Sequence, residues 1–325
     1  MSIKIDGMVR VAAATPHVKV ADCPYNKNEM AKMIREAAAN GASVIAFPEL
    51  AMTGYTCGDL FKDRKLMESA KACLFDLIEE TEDLDILCAV GMPIPSGGAL
   101  YNCAAVVSKG RLLGLVPKTH LPNYNEFYER RQFAPAPKET ELIAFGGEMV
   151  PFGTNLLFVC DELPEFSFAC EICEDLWAPF PPSVRHASAG ATVVLNLSAS
   201  DELVGKAAYR RELVSGQSAR LVCAYLYADA GEGESTTDMT FAAHNLIAEN
   251  GAVLAESRYE TDKLLITEID VQRLASERRK MTTYPAADGG DYLTVSFSLP
   301  LCKTTLSRQV SRTPFIPSSE ADRAE

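Results

Sequence analysis

Three residues with reactive side chains each follow an apolar stretch that is typical of a buried β-strand. Glu49 follows VIAFP, Lys118 follows LLGLVP and Cys173 follows FSFACEI. Because α/β sheets present functional groups at the carboxyl ends of their strands, we expect these side chains to be available for chemistry. A carboxylate, an ammonium group and a thiol suffice for acyl transfer. The glutamate would take the thiol proton, the cysteine would attack a carbonyl carbon, and the lysine with a backbone N–H would stabilise the oxyanion.

Each of the three residues alone also fits a simpler interpretation. Glu49 could be a solvated loop carboxylate, Lys118 a surface lysine whose stem covers aromatic rings, and Cys173 a buried structural thiol. Two acidic residues close to the lysine in sequence, Glu126 and Glu129, could orient it. The presence of one reactive type at each of three strand ends favours an active site over three unrelated residues.

Cys170 and Cys173 form a Cys-x-x-Cys pair that predicts neither a metal site nor a redox site. A structural zinc site needs a second pair of ligands, and the four histidines are scattered, at positions 17, 120, 186 and 244. A thioredoxin-like pair opens a helix, whereas Cys170 falls within a predicted strand. Residues i and i+3 of a strand lie on opposite faces, so we predict that Cys170 points into the core.

The apolar pattern predicts alternating strands and helices, mixed with hairpins, in one large α/β domain. The first helix is expected to begin at a cap on Asn28 and to end at Gly41. Lys-Gly at 109–110 and Asn-Gly at 250–251 predict hairpin turns. Further helices are predicted over 66–78, from 181–182 onward and over 206–220, and strands over 8–14, 44–47, 86–92, 101–108, 111–117, 155–160, 166–172, 191–197, 222–228, 241–247 and 252–257.

The composition is that of a globular domain: of 325 residues, 47% are hydrophobic and 23% are charged. The formal net charge of −13 argues against nonspecific binding to nucleic acid, whose phosphates need a basic surface. No apolar run approaches the roughly 18 residues of a membrane span, and no signal peptide is recognised. Most of the ten cysteines lie in apolar stretches, which predicts buried free thiols in a reducing compartment. We therefore expect a cytoplasmic protein with a small-molecule substrate, without nucleic-acid or membrane partners.

The chain shows no break in composition before about residue 305. We predict one domain over residues 1–305. Residues 306–325 are rich in serine, proline and charge, and are expected to form a linker or a terminal extension.

The order FPEL, PKxxLP and CED resembles that of the nitrilase (carbon–nitrogen hydrolase) superfamily, whose triad is Glu-Lys-Cys. Longer strings resemble one branch of it, the glutaminase domains of glutamine-dependent NAD synthetases. This resemblance covers residues 5–300. The strings are FPELAMTGYTCGDLF, PKTHLPNYNEFYERRQF, EICEDLWAPFPPS, NLSAS and YLYADAGEGESTTDMTF.

The resemblance implies a four-layer α-β-β-α sandwich and a role for each reactive residue. Glu49 would be the general base and Cys173 the nucleophile that forms a γ-glutamyl thioester. Lys118 would stabilise the tetrahedral intermediate together with the backbone N–H of Glu174. Glu129 matches a second carboxylate, which would orient the lysine.

Further positions match family residues around bound glutamine. The Glu174 carboxylate would balance the α-ammonium group of the substrate. Lys206 matches a basic position that could meet the α-carboxylate. Trp177 stands where some relatives have Phe, which preserves an apolar contact and changes the size of the pocket. The remaining matches are Tyr55, Tyr124 and Ser200.

The resemblance also implies what this domain does not hold. Full-length members carry an ATP pyrophosphatase domain, which uses ATP and Mg²⁺ to activate nicotinic acid adenine dinucleotide and has a phosphate loop SGGxDS. Here Ser96-Gly97-Gly98 is followed by Ala99-Leu100, so we predict a turn. No cofactor is expected in this domain. The expected partners are L-glutamine, a synthetase domain in the same chain or a separate one, and further copies in a homo-oligomer.

Two alternatives to a glutaminase stay open. A stand-alone carbon–nitrogen hydrolase would act on another small amide. A pseudoenzyme or docking module would keep the fold without turnover. Activity on ω-amides but not on glutamine would favour the first, and a folded chain without labelling of Cys173 would favour the second.

Overall fold

The computed structural model describes residues 6–257, 263–300, 304–308 and 310. Within them the chain forms two β-sheets that pack face to face. The first sheet has eight strands in the order β14-β1-β2-β3-β4-β5-β7-β6. Its strands are β1 (Met8–Ala14), β2 (Val44–Ala46), β3 (Leu87–Ser96), β4 (Ala99–Ser108), β5 (Arg111–Pro117), β6 (Glu141–Phe145), β7 (Glu148–Phe152) and β14 (Leu264–Asp270).

The second sheet has seven strands in the order β13-β12-β11-β10-β9-β8-β15. Its central strands run parallel, since β10 pairs in parallel with both β9 and β11. Its strands are β8 (Leu156–Cys160), β9 (Ser167–Ile172), β10 (Val193–Ser198), β11 (Ala224–Asp229), β12 (Leu246–Glu249), β13 (Ala252–Glu256) and β15 (Leu293–Phe297).

Helices cover the outer face of each sheet, so the predicted four-layer α-β-β-α sandwich is confirmed. Helices α1 and α2 pack on the first sheet, and α4 and α5 pack on the second. The apolar side chains between the sheets come from both of them, for example Val11 and Ala104 from one and Phe168 and Leu195 from the other. The helices are α1 (Cys23–Ala39), α2 (Arg64–Glu80), α3 (Glu174–Trp177), α4 (Pro182–Ser188), α5 (Lys206–Leu221) and α6 (Val271–Lys280).

The first helix begins earlier than its apolar pattern predicts. Asp22 is the N-cap and accepts a hydrogen bond from the backbone N–H of Tyr25, so Asn28 lies inside the helix. The first turns carry polar residues that are nonetheless buried. Asn26, for example, donates to the carbonyl groups of Lys19 and Met52. Polar residues with internal partners break an apolar pattern without breaking the helix.

Other differences from the predicted elements have local causes. The hairpin of β6 and β7 was not predicted, because half of its residues are exposed and its sequence shows no apolar alternation. The strand predicted over 241–247 begins only at Leu246, and residues before it are buried as a loop. The Ser96-Gly97-Gly98 turn is confirmed as the hairpin between β3 and β4, with positive φ at both glycines.

Four of the described residues after position 303 contact the domain: Thr304, Thr305, Ser307 and Arg308. The Ser307 hydroxyl donates to the carboxylate of Glu268, and the Arg308 guanidinium lies 3.2 Å from the Glu249 carboxylate. Most of the tail predicted over 306–325 lies outside the described residues. Among the described helices, none is both long and apolar enough to cross a bilayer.

Candidate active site

Cys173 occupies a sharp turn between a strand and a helix. Strand β9 ends one residue before it and α3 begins one residue after it. Its backbone has φ 43° and ψ −99°, a conformation that costs free energy in a residue with a Cβ atom. The N–H of Cys173 donates to Leu197 O at 3.0 Å and to Asn196 Oδ1 at 3.2 Å, so strand β10 holds the turn in place. The strained turn therefore presents the thiol at a fixed position.

Glu49 lies in a turn just after β2 and is 1% exposed. The backbone there touches the neighbouring strand so closely that a Cβ on Gly91 would lie 2.2 Å from Pro48 O. The N–H of Glu49 donates to Ser198 O, which joins this turn of the first sheet to the second sheet. Glycine at position 91 thus allows Glu49 to reach the interface between the sheets.

Lys118 follows β5 and joins two carboxylates in a buried cluster. Its Nζ donates to Glu49 Oε1 at 2.6 Å and to Glu129 Oε1 at 2.7 Å. Asn102 Nδ2, from β4, also donates to Glu49 Oε1, at 2.6 Å. The second oxygen of each carboxylate, Oε2, has no hydrogen-bond partner within the described part of the chain. The free oxygen of Glu49 can therefore accept a proton while Oε1 keeps the lysine in place.

The pKa values of these groups rise together. Burial raises the pKa of Glu49 to about 8, although the ammonium of Lys118 opposes the rise. Burial and the charge of Glu49 raise the pKa of the Cys173 thiol, again against Lys118. Burial alone would lower the pKa of Lys118, but Glu129 and Glu49 more than offset it and raise that pKa. A carboxyl group that is a weaker acid than usual is a better acceptor for a thiol proton.

A cavity of about 420 Å³ opens beside Cys173. Tyr124 at its mouth is half exposed, and its hydroxyl donates to Glu174 Oε1 at 2.8 Å. The backbone N–H of Glu174, at the start of α3, has no acceptor among the described residues. The structure brings seven of the predicted residues together in this lining: Cys173, Glu174, Tyr124, Glu126, Trp177, Ser200 and Lys206. Within the described residues Glu126 forms no ion pair with Lys118, so of the two carboxylates expected to orient the lysine only Glu129 does so.

The two polar residues from the far wall of this cavity already have protein partners. Lys206 Nζ is paired with the carboxylate of Asp201 and lies 5.1 Å from the ring centroid of Trp177. Ser200 Oγ accepts from Arg210 Nη2 at 3.0 Å. Both residues can still donate to a ligand. Ser200 has its hydroxyl proton, and Lys206 has its remaining N–H bonds.

Tyr55 was predicted to lie near the substrate, but in the structure it contacts Glu129. Its hydroxyl donates to Glu129 Oε1 at 2.8 Å. It lines a separate cavity of about 250 Å³ together with Glu129, Tyr128 and Phe133, and it is absent from the lining of the cavity beside Cys173. Its contact is therefore with the carboxylate that holds Lys118.

A comparison with protein families now adds to this geometry. A family model described as carbon-nitrogen hydrolase matches residues 10–279. The chain belongs to the carbon–nitrogen hydrolase family. The match includes Glu49, Lys118 and Cys173.

Relatives within this family include glutamine-dependent NAD(+) synthetases. The chain is 42% identical over 321 residues to that of Mycobacterium tuberculosis, an alignment that covers 96% of this chain and 47% of the relative. It is 38% identical over 321 residues to that of Mycobacterium leprae, again across 96% of this chain and 47% of the relative. The chain thus spans about half the length of the curated relatives it matches.

Solved structures of other proteins share this fold. A glutamine-dependent NAD(+) synthetase from Cytophaga hutchinsonii matches with a TM-score of 0.73 and 29% identity, over 86% of this chain and 46% of that one. An amidase from Nesterenkonia sp. matches with a TM-score of 0.64 and 19% identity, over 86% of this chain and 97% of that one. The second likeness bears on the fold alone.

Sequence reasoning missed some residues of this candidate site. Asn102 stands as a polar residue within the apolar strand YNCAAVV, a signal that could have found it. Arg210 and Asp201 carry no such signal, because their roles depend on contacts between distant segments. The prediction for Cys170 is confirmed, since its side chain is 1% exposed in the core between the sheets.

The described part of the chain holds no group of three or more His, Cys, Asp or Glu side chains that could bind a metal ion. The nine cysteines that it includes, all but Cys302, are free and buried.

Proposed function

We propose that this chain hydrolyses the side-chain amide of L-glutamine through a thioester on Cys173. In this proposal it is the ammonia-releasing part of a glutamine-dependent NAD synthetase. The observation that carries the chemistry is the buried cluster of Lys118 and Glu49, with one free carboxylate oxygen, beside a thiol on a strained turn. The choice of glutamine is supported by the relatives, which are 42% and 38% identical over most of this chain.

The first half-reaction forms the acyl-enzyme. The Cys173 thiol gives its proton to Glu49 Oε2, and the thiolate attacks the δ-carbon of glutamine. Lys118 Nζ and the N–H of Glu174 stabilise the oxyanion that forms. The carbon–nitrogen bond then breaks as Glu49 gives the proton to the leaving nitrogen. Ammonia departs and a γ-glutamyl thioester remains.

The second half-reaction returns the enzyme to its starting state. Water gives a proton to Glu49 and attacks the thioester carbon, through an oxyanion held by the same donors. The carbon–sulfur bond breaks, glutamate leaves, and the proton on Glu49 returns to the Cys173 sulfur. The cluster needs no histidine, because Glu49 carries the proton in both directions.

The lining of the cavity suits an amino acid. Glu174, already hydrogen-bonded by Tyr124, would face the α-ammonium group, and Lys206 would face the α-carboxylate. The Trp177 ring would cover the methylene groups. Tyr55 and Glu129 would act from behind, by holding the lysine.

Further parts of the proposal concern the whole protein. The ammonia would be used by a synthetase domain, in the same full-length chain or a separate one, to amidate nicotinic acid adenine dinucleotide. That domain would need ATP and Mg²⁺, and the half described here would need no cofactor. We also propose a homo-oligomer in the cytoplasm.

The first experiment is intact-mass labelling with an electrophilic glutamine analogue, followed by peptide mapping. A single adduct on Cys173 that excess glutamine blocks would support both the nucleophile and the substrate. Labelling does not depend on turnover, so the experiment also works if the chain hydrolyses glutamine slowly without a synthetase domain. A folded sample with no adduct, also after a synthetase domain is supplied, would contradict the proposal.

A stand-alone amidase is the alternative that this experiment separates. If Cys173 reacts with small electrophilic amides, and glutamine neither blocks the reaction nor is hydrolysed, the substrate is another small amide. Retained folding without any reaction at Cys173 would instead indicate a docking module.

A further inference from the structure

The carboxylate of Asp175 joins the two segments that carry Cys173 and Lys118. It lies two residues after the cysteine and is 1% exposed. Its Oδ2 accepts from the backbone N–H of Ile172 at 3.0 Å. Its Oδ1 accepts from the N–H of His120 at 2.7 Å and from that of Thr119 at 3.2 Å.

These three donors lie next to the reactive residues in sequence. Ile172 immediately precedes Cys173, and Thr119 immediately follows Lys118. Residues 119 and 120 belong to no helix or strand, so no ladder of backbone hydrogen bonds fixes them. A buried carboxylate that accepts from both segments therefore fixes one relative to the other.

We infer that Asp175 is a positioning residue, which sets the distance between the Cys173 thiol and the Lys118 ammonium group. The inference rests on the proposed function, in which these two groups act on one substrate carbon. The competing interpretation is that Asp175 only satisfies buried backbone N–H groups and stabilises the fold. The two interpretations predict different reaction rates for correctly folded molecules in which Asp175 is replaced.

Asp175→Asn is the sharpest substitution, because it keeps the shape and removes one acceptor. Both carboxylate oxygens accept here, whereas an amide offers one oxygen, and its NH₂ group would face a backbone N–H. Either the Ile172 side or the 119–120 side then loses its bond. The matched control is Glu249→Gln, since Glu249 is also buried and accepts the backbone N–H of Asp270, outside the cavity beside Cys173.

Two readouts at pH 7.5 test the inference on the folded fraction of each variant. The first is kcat and KM for glutamine. The second is the rate at which iodoacetamide alkylates Cys173, which follows thiolate formation and needs no glutamine. Burial raises the pKa of Asp175 to about 6, so the wild-type carboxylate is ionised at this pH.

We expect Asp175→Asn to lower kcat about 10- to 100-fold with KM within about twofold, as for a misplaced reacting group. Alkylation of Cys173 should slow at least about fivefold, and Glu249→Gln should change neither rate. Unchanged or faster alkylation of Cys173 in folded Asp175→Asn would overturn the inference. If the wild type is alkylated but does not hydrolyse glutamine, the proposed function fails, and the alkylation rates alone decide the role of Asp175.

A measurement on the wild type covers the case in which Asp175→Asn does not fold. The backbone N–H groups of Thr119 and His120 should exchange with solvent as slowly as that of Ile172, although they lie in a loop. Fast exchange at 119 and 120 with slow exchange at 172 would overturn the inference.

Discussion

The hydrogen bond from Asn102 to Glu49 allows a quantitative test of the base. Asn102 Nδ2 donates to Glu49 Oε1 at 2.6 Å in a fully buried setting. A hydrogen bond to a charged group contributes about 1.5–3 kcal/mol, and one pKa unit corresponds to about 1.4 kcal/mol. Asn102→Leu keeps a similar volume and removes the donor, so it should raise the pKa of Glu49 by about one to two units. In the wild type that pKa is about 8.

The assay is ammonia release from glutamine between pH 6.5 and 10. Because the base acts only when ionised, kcat/KM of the wild type should rise with pH through the pKa of Glu49. In Asn102→Leu the midpoint should move up, so that kcat/KM falls about 10- to 100-fold at pH 7 and approaches the wild-type value at the alkaline end.

The control for Asn102→Leu is Asn155→Leu. Asn155 is also buried and donates to a carboxylate, that of Asp291, at 2.6 Å, but it lines neither the cavity beside Cys173 nor the one lined by Tyr55 and Glu129. It should lower stability and leave the pH profile unchanged. An unmoved midpoint in Asn102→Leu, or an equal shift in both variants, would refute the assignment of Glu49 as the titrating base.

Three further predictions concern single side chains. Cys173→Ala should abolish glutamine hydrolysis with an unchanged circular dichroism spectrum, and retained turnover would mean that Cys173 is not the nucleophile. Cys170→Ala should lower the free energy of unfolding by about 1 kcal/mol and keep activity, and lost turnover would contradict its structural role. Lys118→Met should leave KM nearly unchanged and lower kcat at least about 100-fold, because the ammonium acts on the transition state; equal losses in binding and turnover would contradict this. Burial raises the pKa of Glu171 to about 7, so near neutral pH the folded state keeps a proton that the unfolded state has lost. The stability that this group contributes is therefore present at low pH and is lost as the pH rises towards 7. Between pH 5 and 7.5, urea unfolding of Glu171→Gln should therefore lose about 2–3 kcal/mol less stability than the wild type does, and parallel losses would place the titration elsewhere.

The strands that carry the reactive residues were predictable because most of their residues are apolar. Strands β2 and β9 show only buried residues, and each ends just before the turn that carries Glu49 or Cys173. What the sequence could not supply is that these turns meet. Strand β2 belongs to one sheet and β9 to the other, so the meeting of Glu49 and Cys173 depends on how two sheets pack. No local pattern contains that information.

The residues that position the site were harder to predict than those expected to react. Asp175 was visible only as part of the string CED, and its role depends on N–H groups more than fifty residues away in the chain. Arg210 looks like an exposed helix residue, yet its side chain is fully buried against Ser200. Polar residues that fold inward towards partners in distant segments break the apolar pattern on which sequence reasoning depends.

The arrangement of two glutamates on one lysine would explain how the proposed reaction proceeds without histidine. During the proposed reaction Glu49 alternates between a carboxylate and a carboxylic acid, which would weaken its hold on Lys118. Glu129 accepts a second hydrogen bond from the same Nζ at 2.7 Å, and Tyr55 in turn holds Glu129 at 2.8 Å.

The ammonium group therefore keeps its position while Glu49 changes charge. Glu129 and Glu49 raise the pKa of Lys118, so in the proposed reaction it would serve as a fixed positive charge and not as an acid. When Glu49 takes the proton, the Lys118 ammonium group loses one of its two carboxylate partners. At the same moment a thiolate forms at Cys173 beside that ammonium group. Proton transfer thus redistributes negative charge around Lys118 instead of creating it, which lowers the cost of forming a thiolate in a buried site.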